Sequence, residues 1–276
     1  MPDPRTPQLE YSQTQSLMLD EVSRRAKAAK MVAVVQHFRG VQDLSGLRVV
    51  DCGCSGGIIA DELHAAGATV IGLDIDVPGV RAARARFGAS ASFVCADAER
   101  IPLATGSADV VICNHIYEHV VDPDRLLAEL RRVVRPDGVL YLGLANRLGV
   151  IEPHYRLPFL SWLPRQVAHR YVRALGRADH YHEELKTRRR LRSLCAGLHV
   201  WEYTFSVLAE PARFAAGDAV PGWASKIPRA FLRAAGPVVP TYIWIATPQP
   251  TRPLGPPLVV PPTPVATPRT PRLLNR

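Results

Sequence analysis

With 276 residues, 47% of them apolar and 21% charged, the chain has the make-up of a folded domain large enough to bury a substantial core. The formal charge of +9 falls to about +5 once Arg252, Arg269, Arg272 and Arg276 of the last thirty residues, which have no acid among them, are set aside; this weakens the case for a nucleic-acid partner. No apolar run reaches bilayer-spanning length, the first residues lack the basic and apolar regions of a secretion signal, and the five cysteines suggest neither a disulfide framework nor a metal cluster, so a cytoplasmic location is expected.

Residues 15–38 are free of Pro and Gly and read as a leading helix, with Met18, Val22, Ala26, Ala29 and Ala33 near one face. From residue 48 strands and helices alternate. RVVDCG is a buried strand, GGIIADELHAAG a helix, TVIGLDI a strand, VPGVRAARARFG a helix and ASFVCAD a strand. ADVVICN then reads as a strand, DPDRLLAELRRVV as a helix with Asp122 as N-cap and Pro123 at its first position, and GVLYLGLAN as a strand. Such alternation predicts βαβ units and a mostly parallel sheet with helices on both faces.

The rhythm breaks over residues 147–182, which read as an insertion or lid after the fifth strand. ELKTRRRLRSLCAGL follows as a helix whose KTRRRLR run is a solvated face, HVWEYTFSV as a strand, residues 208–240 as an irregular or helical stretch, and TYIWIAT as a closing strand. The ten prolines from residue 247 onward predict a disordered tail over 248–276, with residues 1–247 as the domain.

The stretch VVDCGCSGG, residues 49–57, sets a glycine-rich turn between a buried strand and a helix, a geometry that lets backbone approach a ligand and favours a negative group at the helix start. Its G-x-x-G-G spacing departs from the G-x-G-x-x-G of dinucleotide binders, which disfavours an NAD-dependent oxidoreductase. The stretch resembles the first motif of class I S-adenosylmethionine-dependent methyltransferases, D-x-G-x-G-x-G, departing from it at Ser55 and Gly56. VIGLDI, FVCADAERIPLATGSADVVIC and LLAELRRVVRPDGVLYL, the last with Pro136, Asp137 and Gly138 in a turn, resemble the family's later segments. Together the matches span about residues 45–146.

The resemblance implies a Rossmann-like sheet of seven strands and S-adenosyl-L-methionine as cofactor. Asp74 would bind the ribose hydroxyls beside Ile75, Asp97 the adenine amino group and Ala98 the ring through its amide, while Gly53, Cys54 and Gly56 would sit near the methionine carboxylate. Asp51 would orient the loop or meet the methionine ammonium, and Asn114 and His115 would contact cofactor or substrate. NHIYEH resembles in part the ubiquinone-pathway O-methyltransferases, whose E-x-x-E-H pattern is associated with a divalent metal. His115 replaces the first Glu here, and the reading adopted is no metal, with Glu118 and His119 holding a helix start by hydrogen bonds.

As general base the resemblance favours His182, five residues before Thr187; His154 and Tyr155, in the insertion, are the next candidates, with His115 after them. The expected activity is O-methylation of a small or lipid-linked acceptor such as an isoprenoid, quinone or glycolipid. Residues 156–173, which mix Phe159, Leu160, Trp162 and Leu163 with arginines, are expected either to pack as a lid or to touch a membrane surface. A nucleic-acid methyltransferase or RNA-binding module is the alternative. No N-P-P-[YF] motif follows the fourth strand, so no nucleic-acid partner is expected, and the oligomeric state does not follow from the sequence.

Overall fold

The computed structural model describes residues 5, 8, 9, 20–217 and 234–268. The leading helix α1 runs Glu21–Arg39, and the Asp20 carboxylate caps it by accepting the Ser23 N–H. Gly40 ends it in the left-handed conformation at φ 67°. The buried face is Ala28, Met31, Val34, Val35 and Phe38, whereas Val22 is 81% exposed. The expected face was chosen largely on alanines, which pack almost equally well on either side; the larger side chains decided the rotation. Residues 15–19 of the expected helix lie outside the described residues.

The alternation then appears as expected, with β1 (Arg48–Cys52), α2 (Ile58–Ala65), β2 (Thr69–Asp74), α3 (Val77–Phe87), β3 (Ser92–Cys95), β4 (Ala108–Asn114), α4 (Pro123–Val133) and β5 (Val134–Ala145). Asp76 caps α3 through the Gly79 N–H, and Asp122 caps α4 through the N–H groups of Asp124 and Arg125, with Pro123 at the helix start. Pro136, Asp137 and Gly138 belong to β5 itself. Its register slips there, Ala108 facing Val134 but Val110 facing Val139, so the expected turn is a bulge that absorbs extra residues without ending the strand.

Residues 147–185 form the insertion, closed at its base where Asn146 bridges Lys186 and the Arg147 N–H donates to the Lys186 carbonyl. It contains a hairpin of β6 (Ile151–Glu152) and β7 (Leu157–Pro158) and the helix α5 (Arg165–Ala174). Tyr155, Leu157, Leu160, Ala168, Val172 and Tyr181 give it a small core of its own. After α6 (Arg188–Leu194) comes β8 (His199–Glu202), shorter than expected. The Tyr203 N–H turns to the Ile243 carbonyl, and α7 (Thr204–Ala209) begins where the strand pattern had seemed to continue.

The sheet order is β10-β8-β9-β5-β4-β1-β2-β3, with β9 (Thr241–Thr247) antiparallel between β5 and β8, and helices cover both faces. This is the expected Rossmann-like sheet with one strand more. The extra strand, β10 (Thr263–Val265), comes from the segment expected to be disordered, and it corrects that expectation for residues 248–268. Prolines cannot build a core alone, but this segment borrows one. Val260 and Val265 are buried, and the N–H groups of Leu254 and Gly255 donate to the Phe38 and His37 carbonyls. Pro264 is tolerated because β10 is an edge strand, where a missing donor costs little. Residues 269–276 lie outside the described residues.

Candidate active site

The parallel strands β1, β2, β3 and β4 end at a cavity of about 500 Å³, a size suited to a cofactor with part of a second ligand. Asp51, Gly53, Asp74, Ile75, Asp97, Ala98 and Asn114 line it, as do His115 and His154. Cys54 and Gly56 do not: Cys54 points down into the core beneath the turn, fully buried, and Gly56 stands off the cavity wall. Two glycines make close approaches possible. Gly53, at φ 85°, would drive a Cβ into Ile116, and Gly143 on β5 leaves room for the Asn114 side chain that a Cβ would strike. The result is a narrow backbone cradle at the β1 tip.

The carboxylates around this cradle are differently engaged. Asp74 accepts the Ser55 N–H at 2.7 Å and the Asp76 N–H at 2.9 Å, one on each oxygen, which fixes its plane and leaves a lone pair on each oxygen for further donors. Burial raises its pKa, and those backbone donors oppose the rise. Asp97 accepts the Glu99 N–H at 2.8 Å and pairs with Arg5 at 3.1 Å. Asp51 is 2% exposed, and its Oδ2 has no hydrogen-bond partner among the described residues. Burial pushes its pKa up to about 7, with Arg24 pulling against the rise and Asp74 adding to it. A buried carboxylate oxygen left unpaired beside a cavity is the place where a ligand ammonium would be most favoured.

Beyond the cradle, two chain segments bring His115, Glu118 and His154 together. His115 follows the β4 tip in the left-handed conformation, φ 58°, held by its N–H to the Gly143 carbonyl. Its Nδ1 lies 3.0 Å from Glu118 Oε1 and its Nε2 3.4 Å from Thr241 Oγ1. Residues 115–120 form a turn and not the expected helix start, because positive φ at His115 is incompatible with a helix and chain direction is reset only at Asp122. Tyr117 ties the turn to the base of the insertion, donating to the Ala145 carbonyl and accepting the Lys186 N–H.

His154 comes from the tip of the β6–β7 hairpin. Glu152, fully buried, accepts the backbone N–H groups of His154 and Tyr155 on Oε2 and meets His154 Nδ1 at 2.7 Å on Oε1. His154 Nε2 lies 3.4 Å from Glu118 Oε1. Burial alone would lower the His154 pKa, but Glu118 and Glu152 outweigh it and push it up to about 10. Glu118 is held well below the usual carboxylate range: His115 and His154 overcome the opposite effect of its burial. His119 stands edge-on to His154, and burial pushes its pKa down to about 4. At neutral pH the group therefore holds a His154 imidazolium between Glu118 and Glu152, with ionised Glu118 also facing His115.

Ligand-type atoms of His115, Glu118 and His154 lie within 4.8 Å of one another, a set that includes His154 where the sequence suggested His119. The other two base candidates stand apart from the cavity. Tyr155 is packed in the insertion core, its hydroxyl 3.4 Å from Glu183 Oε1, and His182 lies exposed beside His180. Glu152, Thr241, Arg24, Lys27, Lys30 and Arg156 were not singled out from the sequence. The signal available was weak: three cations over one helical stretch, and a Glu two residues before a His.

Residues 50–142 match the family model described as a methyltransferase domain. Among curated relatives, the ubiquinone biosynthesis O-methyltransferase of Thiobacillus denitrificans is 34% identical over 146 residues, 49% of this chain and 61% of that one. The enzyme of the same name from Brucella anthropi is 33% identical over 129 residues, 44% of this chain and 51% of that one. The chain thus spans between half and three-fifths of the length of these relatives. Among solved structures, the YcgJ protein of Bacillus subtilis is 15% identical at a TM-score of 0.46, over 78% of this chain and 94% of that one. The matched segment runs from within β1 into β5, so it contains the cradle, the three tip carboxylates and the His115–Glu118 turn. The hairpin bearing His154 lies outside it.

Proposed function

We propose that the protein is an S-adenosylmethionine-dependent methyltransferase acting on an oxygen of a small or lipid-linked acceptor. The observation that carries this reading is the buried Oδ2 of Asp51, unpaired among the described residues, beside the cavity that Asp74 and Asp97 also line. The cofactor presents an ammonium, two vicinal hydroxyls and an adenine amino group, all donors, and the cradle presents three carboxylates. Asp51 would take the ammonium, Asp74 the ribose hydroxyls, Asp97 the adenine, and the cationic Arg24 the methionine carboxylate. When bound, the cofactor supplies a methyl group activated on a sulfonium.

The chain's own task is then to hold the acceptor hydroxyl and take its proton. His115 is the base in this reading. Ionised Glu118 accepts its Nδ1–H, which puts the lone pair on Nε2, towards Thr241 and the cavity. His154, already protonated, serves as a fixed positive charge that keeps Glu118 ionised. His115 Nε2 would take the proton of the acceptor hydroxyl as that oxygen is methylated. Calorimetric titration with S-adenosylhomocysteine tests the reading: micromolar binding that weakens at least tenfold in Asp74→Ala is expected, and no binding at millimolar ligand overturns it.

Peripheral membrane contact by the insertion is a second, separate proposal. Phe159 and Trp162 stack edge-on with ring centres 5.0 Å apart, at 47% and 45% exposure, beside α5 with its arginines. Sedimentation with anionic vesicles, lost in a Phe159→Ser, Trp162→Ser variant, is the expected result.

A further inference from the structure

The tip of the β6–β7 hairpin is organised around one side chain. Glu152 is fully buried and folds back over its own turn: Oε2 accepts the N–H groups of His154 and Tyr155 at 2.8 and 2.7 Å, Oε1 faces His154 Nδ1 at 2.7 Å, and its carbonyl accepts the Arg156 N–H. The backbone contacts alone do not call for an acid. A glutamine carbonyl oxygen would accept the same two N–H groups without the cost of burying a carboxylate. The other terminal atom of a glutamine is an NH2 group, however, which would aim a donor at His154 Nδ1 and require that nitrogen to be the acceptor. A carboxylate offers acceptors on both sides, so it fixes Nδ1 of His154 as a donor and holds the ring in place.

The ring so fixed stands edge-on to His115, with centres 5.4 Å apart, and to His119, with centres 5.2 Å apart, and its Nε2 lies 3.4 Å from Glu118 Oε1. The same Glu118 oxygen lies 3.0 Å from Nδ1 of His115, whose Nε2 faces Thr241 and the cavity. Glu183, a further buried acid that interacts with His154, is engaged by the Tyr155 hydroxyl and the His182 N–H. Successive contacts of 2.7, 3.4 and 3.0 Å therefore join Glu152, His154, Glu118 and His115, and the first two of these residues lie outside the matched segment. We infer that Glu152 is a positioning residue for the base: through His154 it keeps Glu118 an acceptor, and so holds the His115 proton on Nδ1 with the Nε2 lone pair towards the cavity. Without a cationic neighbour Glu118 would take up a proton more readily and donate it to His115 Nδ1. The ring proton would then sit on Nε2, where the nitrogen facing the cavity could accept no other. The hairpin is thereby part of the reacting site and not only its cover. This inference deepens the methyltransferase reading and rests on it for calling His115 a base; the ring tautomer itself does not depend on it.

The test uses the full-length protein with isotope-labelled histidine rings read by nitrogen NMR, with and without S-adenosylhomocysteine, and diethyl pyrocarbonate as a probe that acylates imidazole at an unprotonated nitrogen. His115, assigned by the signal lost in His115→Gln, should carry its proton on Nδ1 in the unaltered protein at neutral pH. In Glu152→Gln the proton should move to Nε2, and acylation of His115, followed by peptide mass spectrometry, should slow by at least about fivefold while that of exposed His182 stays unchanged. A His115 ring without a proton on Nδ1 in the unaltered protein would overturn the proposal, as would a Glu152→Gln variant with the original tautomer and acylation rate. Faster acylation in that variant would mean that Glu152 only packs the hairpin, and it too overturns the proposal. Retained S-adenosylhomocysteine binding shows that the variant is folded. Should it not fold, His154→Gln, which sets a neutral amide against Glu118, should give the same change at His115, and the tautomer of the unaltered protein stands as a test without any variant. A protein that ignores S-adenosylhomocysteine yet shows a His115 tautomer governed by Glu152 would defeat the methyltransferase reading and leave the positioning role standing.

Discussion

The two halves of the cavity are built on opposite plans. The side formed by the β1, β2 and β3 tips draws its carboxylates from one short succession of loops, residues 51–57, 74–76 and 96–98, at the ends of adjacent parallel strands. The side facing it is assembled from α1, the turn at 115–118, the hairpin tip at 152–156 and Thr241, which meet only in three dimensions. The first plan suits a ligand that stays the same; the second lets an acceptor change through the hairpin and helix without disturbing the sheet.

The sharpest way to break this division is at His115. His115→Ala should lower turnover by about 10²- to 10³-fold through loss of the base while leaving S-adenosylhomocysteine affinity nearly unchanged; a proportionate loss of affinity would put His115 on the cofactor side. Asp74→Ala should do the reverse, weakening cofactor affinity by about 1.5–3 kcal/mol, seen by calorimetry, through loss of charge-assisted hydrogen bonds.

Proton linkage sharpens the cofactor side further. Asp51 has its pKa raised to about 7 by burial, and an ammonium favours its ionised form, so S-adenosylhomocysteine affinity should be full above pH 7 and fall by up to about tenfold per pH unit below it. Asp51→Asn should take away most of that slope in titrations between pH 5.5 and 8. On the acceptor side, His154 has a raised folded-state pKa of about 10, so its stabilising contribution is complete below about pH 6.5 and is lost as pH rises through 10. The melting temperature should fall over that range, less steeply in His154→Gln. The smallest effect is expected at His182, outside the cavity lining: His182→Ala should change turnover by less than about twofold.

The contrast also explains what the sequence made legible. The sheet, the capped helices and the acids at the strand tips could be read because each depends on residues within one βαβ unit: Asp122 followed by Pro123, or Asp74 at the end of an apolar run. His154 could be named only as a candidate, and its pairing with Glu152 and Glu118 could not be read, since nothing within the hairpin indicates that its tip lies against Glu118. The ranking of His182 above His115 came from a resemblance in spacing, whereas the position of each imidazole depends on how the insertion closes at Asn146 and Lys186. The proline-rich segment misled for a related reason: composition reports whether a segment can bury itself, not whether α1 and the edge of the sheet will bury it.

That segment bears on the order of assembly. Leu254 and Gly255 hydrogen-bond to the end of the leading helix, the Trp201 indole donates to the Thr251 carbonyl, and β10 covers the β8 edge. Regions made more than two hundred residues apart on the ribosome must therefore find each other before the molecule is complete. Until they do, an unpaired strand edge stays open to neighbouring chains, so the docked strap guards against aggregation, and its late arrival makes this edge a natural point at which misassembly would begin.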